Sequence, residues 1–240
     1  EASLAMARTA VEDGIHLVSC TPHIYPGLYE NTAAGIREAV TALRQRLAEA
    51  GIPLTLGEGA DIHLVPEVLD RLRSGLLPTL DGSRYLLLEP SHHVAPPQFE
   101  QSVLSLRHAG FVPLITHPER LAWIGDHYPC FVRLVREGVW MQVTAGSVSG
   151  HFGRQALYWA ERMLDEGLVH VLASDAHGVR NRPLRLAEGA AAAERWVGCE
   201  EVERLVHERP RLILEDTDPA QIPPLPVAPR RPRRRWWQLF

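Results

Sequence analysis

The chain has 240 residues, of which 45% are hydrophobic and 22% charged, and its formal net charge is −4. This balance is typical of a globular protein that buries a full apolar core. Every apolar run is far shorter than the roughly 20 residues that cross a bilayer, which excludes a transmembrane helix. The three cysteines, Cys20, Cys130 and Cys199, match no zinc or disulfide framework, so a reducing cytoplasm is the expected location.

The predicted elements alternate between short apolar strands and longer amphipathic helices. The chain opens in a helical pattern, with Leu4, Ala7 and Val11 on one face and Gly14 as its stop. A parallel α/β chain normally begins with a strand, so we expect a further strand ahead of Glu1. Strands that are apolar throughout and separated by helices predict a parallel sheet buried on both faces. Six strands are predicted, at 15–20, 53–57, 84–89, 111–116, 138–143 and 168–173, with helices at 32–50, 66–75, 98–109, 129–137 and 154–166.

The C-terminal part of the pattern continues with helices at 184–196 and 199–208. Residues 211–216 (RLILED) are predicted to form an edge segment or a closing strand. With one strand ahead of the chain start, the strands would form a seven-stranded α/β barrel. From residue 217 onward prolines forbid regular structure, so the sequence predicts a barrel over 1–216 and a disordered tail over 217–240.

Imidazole and carboxylate groups follow five of the predicted strands. In a parallel α/β barrel the functional site lies at the carboxyl ends of the strands, where the connecting loops converge. Nothing in barrel packing requires ionisable residues at these positions, so they are candidate ligands. The candidate residues are His23, Asp61, Glu89, His117, Asp175 and His177.

Each of these residues also has a structural explanation when taken alone. A single strand-end histidine such as His117 is more often a hydrogen-bonded structural residue than a ligand, and Asp175 could cap a turn. Five successive strand ends of this kind favour a metal site. Nitrogen and oxygen donors without thiolate suit manganese, iron, zinc or cobalt. Bound cations would also neutralise carboxylates that otherwise repel one another.

Five segments together resemble a known family. TPH, GADIHL, RYLLLE, PLITHPER and VHVLASDAH, in this order and spacing, are similar to the bacterial PHP-type (polymerase and histidinol phosphatase) tyrosine phosphatases of capsule and exopolysaccharide loci. The resemblance runs from Glu1 to about Asp216. It implies a distorted (βα)7 barrel in the cytoplasm that holds up to three divalent metals, usually manganese, with iron, cobalt, zinc or magnesium as alternatives.

The resemblance also implies residue roles. His23, Asp61, Glu89, His117, Asp175 and His177 match metal ligands, and Arg120 and Arg182 match arginines that hold the phosphate. Asp61 stands where the family usually has glutamate, and neighbouring Glu58 or His63 could compensate for the shorter side chain. The family begins with a strand carrying H-x-H, which this sequence does not contain.

The function implied is hydrolysis of phosphotyrosine on a membrane-bound tyrosine autokinase that controls polysaccharide synthesis. The same residues would also fit two alternative functions, a histidinol phosphatase-like phosphoesterase and an inactive metal-binding scaffold. A literal Cys-x5-Arg motif runs from Cys130 to Arg136, but its apolar residues at helical spacing predict a helix instead of a phosphate loop. No nucleic-acid partner is predicted.

The tail is basic, since 222–240 contains five arginines and no acidic residue. A solvated terminus is the simplest interpretation. The alternative is contact with an anionic membrane surface or an acidic kinase segment through the arginines and Trp236 and Trp237.

Overall fold

A computed structural model describes residues 1–226 of the chain. In this part of the chain every strand pairing is parallel, so the predicted α/β class with a parallel sheet is confirmed. The main sheet has six strands in the order β2-β4-β5-β6-β7-β8, and β1 pairs with β3 in a two-stranded sheet. The strands are Leu17–Cys20 (β1), His23–Ile24 (β2), Thr55–Glu58 (β3), Asp61–His63 (β4), Tyr85–Glu89 (β5), Val112–Thr116 (β6), Trp140–Thr144 (β7) and Val171–Ala173 (β8).

Two of the six predicted strands continue, after a two-residue break, in a second short strand that was not predicted. β1 is separated from β2 by residues 21–22, and β3 is separated from β4 by residues 59–60. A Cβ atom on Gly59 would lie 2.8 Å from the end of the Leu80 side chain, so a larger residue in the second break would require Leu80 to move. The second pieces, β2 and β4, carry His23 and Asp61 into the main sheet, side by side.

Helices connect the strands and cover the sheet. The predicted helices are present, with α5 beginning at Ile124 instead of residue 129 because Ile124, Tyr128 and Phe131 share one buried face. The helices are Ala2–Glu12 (α1), Ala33–Glu49 (α2), Val68–Arg73 (α3), Phe99–His108 (α4), Ile124–Arg136 (α5), Ala145–Val148 (α6), Gly153–Asp165 (α7), Ala187–Val197 (α8), Cys199–Glu203 (α9) and Arg209–Leu214 (α10).

The segment predicted as a closing strand is helical, so that prediction was wrong. A π-helical turn, Arg204–Glu208, continues α9 directly into α10, which covers most of RLILED. Pro210 lies in this continuous helix without an N–H to donate to the preceding turn, and the π-helical turn comes directly before α10. The apolar residues that suggested a strand, such as Ile213, instead pack under the sheet beside Tyr85.

Both faces of the sheet are buried, and alternate residues of each strand face opposite sides. Leu86 and Leu88 belong to the larger cluster, which includes the helices, whereas Tyr85 belongs to a smaller cluster on the other face. The smaller cluster contains Leu80, Tyr85, Val112, Leu114, Trp140, Val171, Ile213 and Ile222. Glu89 has the same parity as Tyr85, so it lies at the carboxyl end of the face that carries this smaller cluster.

The free edges of β1 and β8 have no strand partner within residues 1–226. A cavity of about 610 Å³ opens between them. Leu17 and Val171 line it from the two edges, and His23 and Asp175 line it at the end where the candidate ligands lie. No helix of the described residues is both long and apolar enough to cross a membrane.

The first ten residues of the predicted tail pack against the body. The Tyr85 hydroxyl donates a hydrogen bond to the Thr217 carbonyl (2.7 Å), and Ile222 is buried in the smaller cluster. The Arg209 guanidinium donates to the carbonyls of Pro223 and Pro224. The rest of the predicted tail, 227–240, with its arginines and tryptophans, lies outside the described residues. The boundary at residue 216 stays a prediction.

Candidate metal and phosphate site

Two of the predicted ligands lie on backbone turns of unusual conformation. His117 (φ 37°) directly follows β6, and Asp175 (φ 49°) comes two residues after β8. Both have left-handed backbone conformations, which cost free energy in a residue with a side chain and are concentrated at functional sites. These turns place the His117 imidazole and the Asp175 carboxylate at the same end of the sheet as Glu89.

Glu89 is the centre of the cluster. Its Oε1 atom lies 3.1 Å from His92 Nε2 and 3.4 Å from His117 Nε2. Its Oε2 atom lies 3.2 Å from His23 Nδ1 and 3.8 Å from His63 Nδ1. One buried carboxylate therefore faces four imidazole rings.

Asp61 adds a second carboxylate to the same cluster. Its Oδ2 atom lies 3.6 Å from His23 Nδ1 and 3.7 Å from His117 Nε2. Thr116 donates a hydrogen bond to the other carboxylate oxygen. The structure thus brings together four of the six predicted ligands, His23, Asp61, Glu89 and His117, around one point.

The electrostatics of the cluster follow from this geometry. Burial alone would raise the pKa of Glu89, but its interactions with His23, His63 and His92 lower the pKa far below its ordinary value. The Glu89 carboxylate in turn raises the pKa of His23. Burial opposes protonation of His117, yet Asp61 beside it raises the pKa of that ring. Glu89 is therefore held as a carboxylate and attracts positive charge.

The last two predicted ligands lie beside this point. The His177 ring centroid is 5.7 Å from that of His23, and His177 Nδ1 lies 3.5 Å from Asp175 Oδ1. The Asp175 Oδ2 atom accepts hydrogen bonds from the guanidinium groups of Arg120 and Arg182. Asp175 therefore links the histidine cluster to the two arginines that the sequence comparison selected for phosphate.

The two arginines are held by an aromatic ring that sequence reasoning missed. The centre of the Phe152 ring lies 4.5 Å from the Arg120 guanidinium carbon and 5.5 Å from that of Arg182. A Cβ atom on Gly146 would lie 2.9 Å from this ring, so glycine is what lets Phe152 come so close. Burial lowers the pKa of Arg182, though not enough to threaten its charge.

Glu119 fixes the turn that carries His117 and Arg120. It is fully buried, and its Oε1 atom accepts hydrogen bonds from the Thr144 N–H (3.0 Å) and the Ser147 hydroxyl (2.7 Å). Burial raises the pKa of this carboxyl group. The turn after β6 is thereby tied to the end of β7 and the start of α6.

Sequence reasoning also missed His92 and gave His63 only a compensating role. Two groups of ligand atoms lie close enough to hold a cation: one from Glu89, His92 and His117, and one from His23, Asp61 and Glu89. His92 follows Glu89 by three residues in the sequence SHH, and this proximity to a strand end was the available signal. Glu89 belongs to both groups, which suits a bridging carboxylate.

The donor set fits divalent cations. It consists of imidazole nitrogens and carboxylate oxygens, which suit manganese, iron, zinc and cobalt. The Nδ1 atoms of His63 and His117 are buried and have no hydrogen-bond partner within residues 1–226. A buried polar atom without a partner is costly, and a cation or a water bound to it would relieve that cost.

The Cys-x5-Arg segment does not form a phosphate loop. Cys130 and Arg136 both lie inside α5, and the thiol is largely buried. Burial raises the pKa of Cys130 to about 11. A protonated thiol inside a helix is a poor nucleophile.

Comparison with known proteins supports the predicted resemblance. The family model described as "Capsular polysaccharide synthesis, CpsB/CapC" matches residues 1–215. Tyrosine-protein phosphatase YwqE of Bacillus subtilis (strain 168) is 36% identical over 230 residues, which cover 95% of this chain and 90% of the relative. Tyrosine-protein phosphatase CpsB of Streptococcus pneumoniae is 27% identical, over 90% of this chain and 91% of the relative.

A solved structure has the same fold. It comes from crystal structures of YwqE from Bacillus subtilis and CpsB from Streptococcus pneumoniae, described as unique metal-dependent tyrosine phosphatases. It superposes with a TM-score of 0.86 at 35% identity and covers 94% of this chain and 91% of that chain. By sequence and by fold, the chain belongs to the CpsB/CapC family of capsular polysaccharide synthesis.

Proposed function

We propose that this protein is a metal-dependent phosphatase that hydrolyses phosphotyrosine on a tyrosine autokinase and so regulates capsular or exopolysaccharide synthesis. The observation that carries the proposal is the cluster around Glu89, in which two carboxylates and four histidines converge beside a pair of arginines. The relatives named as tyrosine-protein phosphatases support it, as does the metal dependence stated for the structural neighbour.

The proposed metal ligands are those expected from the sequence, with His63 and His92 added. They are His23, Asp61, His63, Glu89, His92, His117, Asp175 and His177. Manganese is the proposed native cation because the family resemblance implies it, and the nitrogen and oxygen donors without sulfur suit it, as they suit iron, zinc and cobalt. Divalent cations bound there would lower the pKa of water and neutralise the oxygens of a phosphoryl group.

The arginines are proposed to bind the phosphoryl group. Arg120 and Arg182 both point their N–H groups at one oxygen of Asp175, so their donors already converge on a single anionic position. A phosphoryl oxygen offers the same charge and acceptor geometry as that carboxylate. Phe152 holds both guanidinium planes in place, so little side-chain freedom would be lost when substrate binds.

The preference for tyrosine is proposed from leaving-group chemistry. A phenol has a pKa of about 10, so its oxygen leaves with less protonation than the alkoxide of serine needs. Weak general-acid assistance would therefore favour phosphotyrosine.

We also propose that the parallel strands form part of a distorted (βα)7 barrel over residues 1–216. The unpaired edges of β1 and β8 face a common cavity of about 610 Å³ lined largely by apolar side chains, which suits one more extended strand. A cytoplasmic location near the membrane is proposed from the nature of the kinase substrate.

The test is hydrolysis of matched phosphotyrosine and phosphoserine peptides by the purified chain, with manganese and with EDTA. We expect chelator-sensitive turnover that favours phosphotyrosine. The Glu89→Gln variant should lose at least about 100-fold in activity, because the carboxylate shared by both cation groups loses its charge. Glu137→Gln, at the exposed end of α5, is the matched control and should keep full activity.

Three outcomes would contradict the proposal. Chelator-insensitive activity that vanadate blocks would point to cysteine chemistry. Equal rates on both peptides would favour a broader phosphoesterase. Bound metal, detected by elemental analysis, without any turnover would favour the regulatory scaffold.

A further inference from the structure

A second cavity adjoins the candidate site. It has a volume of about 330 Å³ and lies between α6, the loop 180–185 and the start of α8. Ser174 lines both this cavity and the larger one that contains the candidate ligands. The two cavities are therefore neighbours next to Asp175. A peptide with its phosphoryl group at the arginines would have a flanking residue near the second cavity.

The second cavity carries an excess of positive charge. Arg180, Arg182 and Arg185 line it, and its one acidic residue, Glu188, has a carboxylate oxygen 3.4 Å from His151 Nε2. Arg182 is bound to Asp175. The other two arginines are exposed and form no ion pair with any residue from 1 to 226. Two guanidinium groups are thus available for an anionic ligand.

The walls of this cavity are tightly packed. A Cβ atom on Gly189 would lie 2.5 Å from the Ala145 carbonyl oxygen, so α8 contacts α6 directly through glycine. Phe152, which also lines the cavity, lies against the guanidinium groups of Arg120 and Arg182. The space is therefore bounded by fixed backbone and an aromatic ring, and the two available arginines stand at its loop side.

We propose that this cavity is a specificity subsite that binds an anionic side chain next to the phosphotyrosine of the substrate. The inference rests on the proposed phosphatase function. Arg180 and Arg185 would contact a carboxylate or a second phosphoryl group through paired N–H donors. The subsite makes an acidic phosphotyrosine segment, or one with neighbouring phosphotyrosines, a better substrate than a neutral one.

The experiment compares three peptides at fixed manganese chloride concentration. In each, one phosphotyrosine is flanked on both sides by aspartate, by asparagine or by a second phosphotyrosine. For the wild-type chain we expect the two anionic peptides to have a lower KM than the asparagine peptide. The Arg180→Ala/Arg185→Ala variant should reduce the ratio of kcat/KM for anionic over neutral peptide about tenfold, through KM.

Two further measurements separate specific contact from a general charge effect. The Arg180→Lys/Arg185→Lys variant should restore part of the preference, because charge returns without the paired geometry. The Arg8→Ala/Arg136→Ala variant removes two exposed arginines that line neither cavity, and it should keep the wild-type ratio. The aspartate and phosphotyrosine peptides distinguish the two sources of the anionic group.

An unchanged ratio in the Arg180→Ala/Arg185→Ala variant, or an equal fall in the control variant, would overturn the subsite. Failure of the wild-type chain to hydrolyse any of the peptides would instead refute the proposed function. In that case the three peptides are labelled with fluorescein, and their binding to the wild-type chain and to the variant is measured by fluorescence anisotropy. This measurement decides whether the arginines bind anionic segments. Equal affinity of the wild-type chain and the variant would then reject the subsite as well.

Discussion

His170 should make the stability of this protein depend on pH. The side chain is only 6% exposed, and its ring stacks on Trp140 with 4.7 Å between centroids. Its Nδ1 atom accepts a hydrogen bond from the Met141 N–H (3.1 Å), which requires the ring nitrogen to be unprotonated. Burial, reinforced by the nearby Arg209 cation, lowers the pKa of His170 well below its ordinary value.

The size of the effect follows from proton linkage. In the unfolded chain a histidine has a pKa of about 6.5, so it gains a proton as the pH falls below that value, whereas the folded chain keeps His170 neutral. The unfolded state then binds more protons, and the free energy of unfolding decreases as pH falls. The decrease approaches about 1.4 kcal/mol per pH unit, or about 2 kcal/mol between pH 6.5 and pH 5.

The assay is urea unfolding between pH 7.5 and pH 5 in the presence of EDTA, for the wild-type chain and for His170→Asn. The asparagine oxygen can accept the Met141 N–H but takes up no proton, so the variant should lose about 2 kcal/mol less than wild type over this range. Histidines of the candidate site contribute equally to both proteins. The same pH slope in both would refute the reasoning.

Three further predictions concern other parts of the molecule. With a pKa of about 11, Cys130 should be roughly 0.1% thiolate at pH 8, so iodoacetamide should label it very slowly, as mass spectrometry would show. Glu201→Ala should lower the free energy of unfolding by about 3–5 kcal/mol, because it leaves the Arg209 cation (1% exposed) without its 2.7 Å partner. Gly189→Ala should cost about 1–3 kcal/mol through its clash with the Ala145 carbonyl.

Each of these predictions has an internal control. The exposed Cys199 should be labelled readily in the same sample. Glu200→Ala removes an exposed partner of Arg204 and should cost at most about 1 kcal/mol. Gly178→Ala adds a methyl group to open space and should leave stability nearly unchanged. If a control residue gave the same result as the buried residue it is compared with, the argument from burial would be wrong for that comparison.

The sequence was sufficient to predict the parallel sheet and the convergence of four candidate ligands. Apolar runs with helices between them specify parallel pairing, and residues that directly follow such strands must meet at one edge. His23, Asp61, Glu89 and His117 came from this rule. The rule works because the direction of a strand determines the position of the residue that follows it, and the conformation of the rest of the loop does not change that position.

The parts that sequence could not predict depend on loops and on tertiary packing. His92 lies in an irregular segment after β5, so no periodicity directs it back to Glu89. Phe152 acquires its role only through the packing of α6 against α7, which Gly146 permits. The prediction of a strand at 211–216 was wrong because a short apolar run such as Leu212 to Leu214 fits a strand and a helix equally well. In the structure the π-helical turn before Arg209 continues the chain as a helix.

The two broken strands change direction without losing alignment. Leu17 pairs with Thr55 before the breaks and His23 pairs with Asp61 after them, so residues 38 positions apart remain partners throughout. Each two-residue break must therefore have the same length as its neighbour. Deleting one residue from 21–22 or from 59–60 would shift this alignment and turn His23 or Asp61 to the opposite face. The length of each break is therefore set by the pairing of the two candidate ligands that follow the breaks.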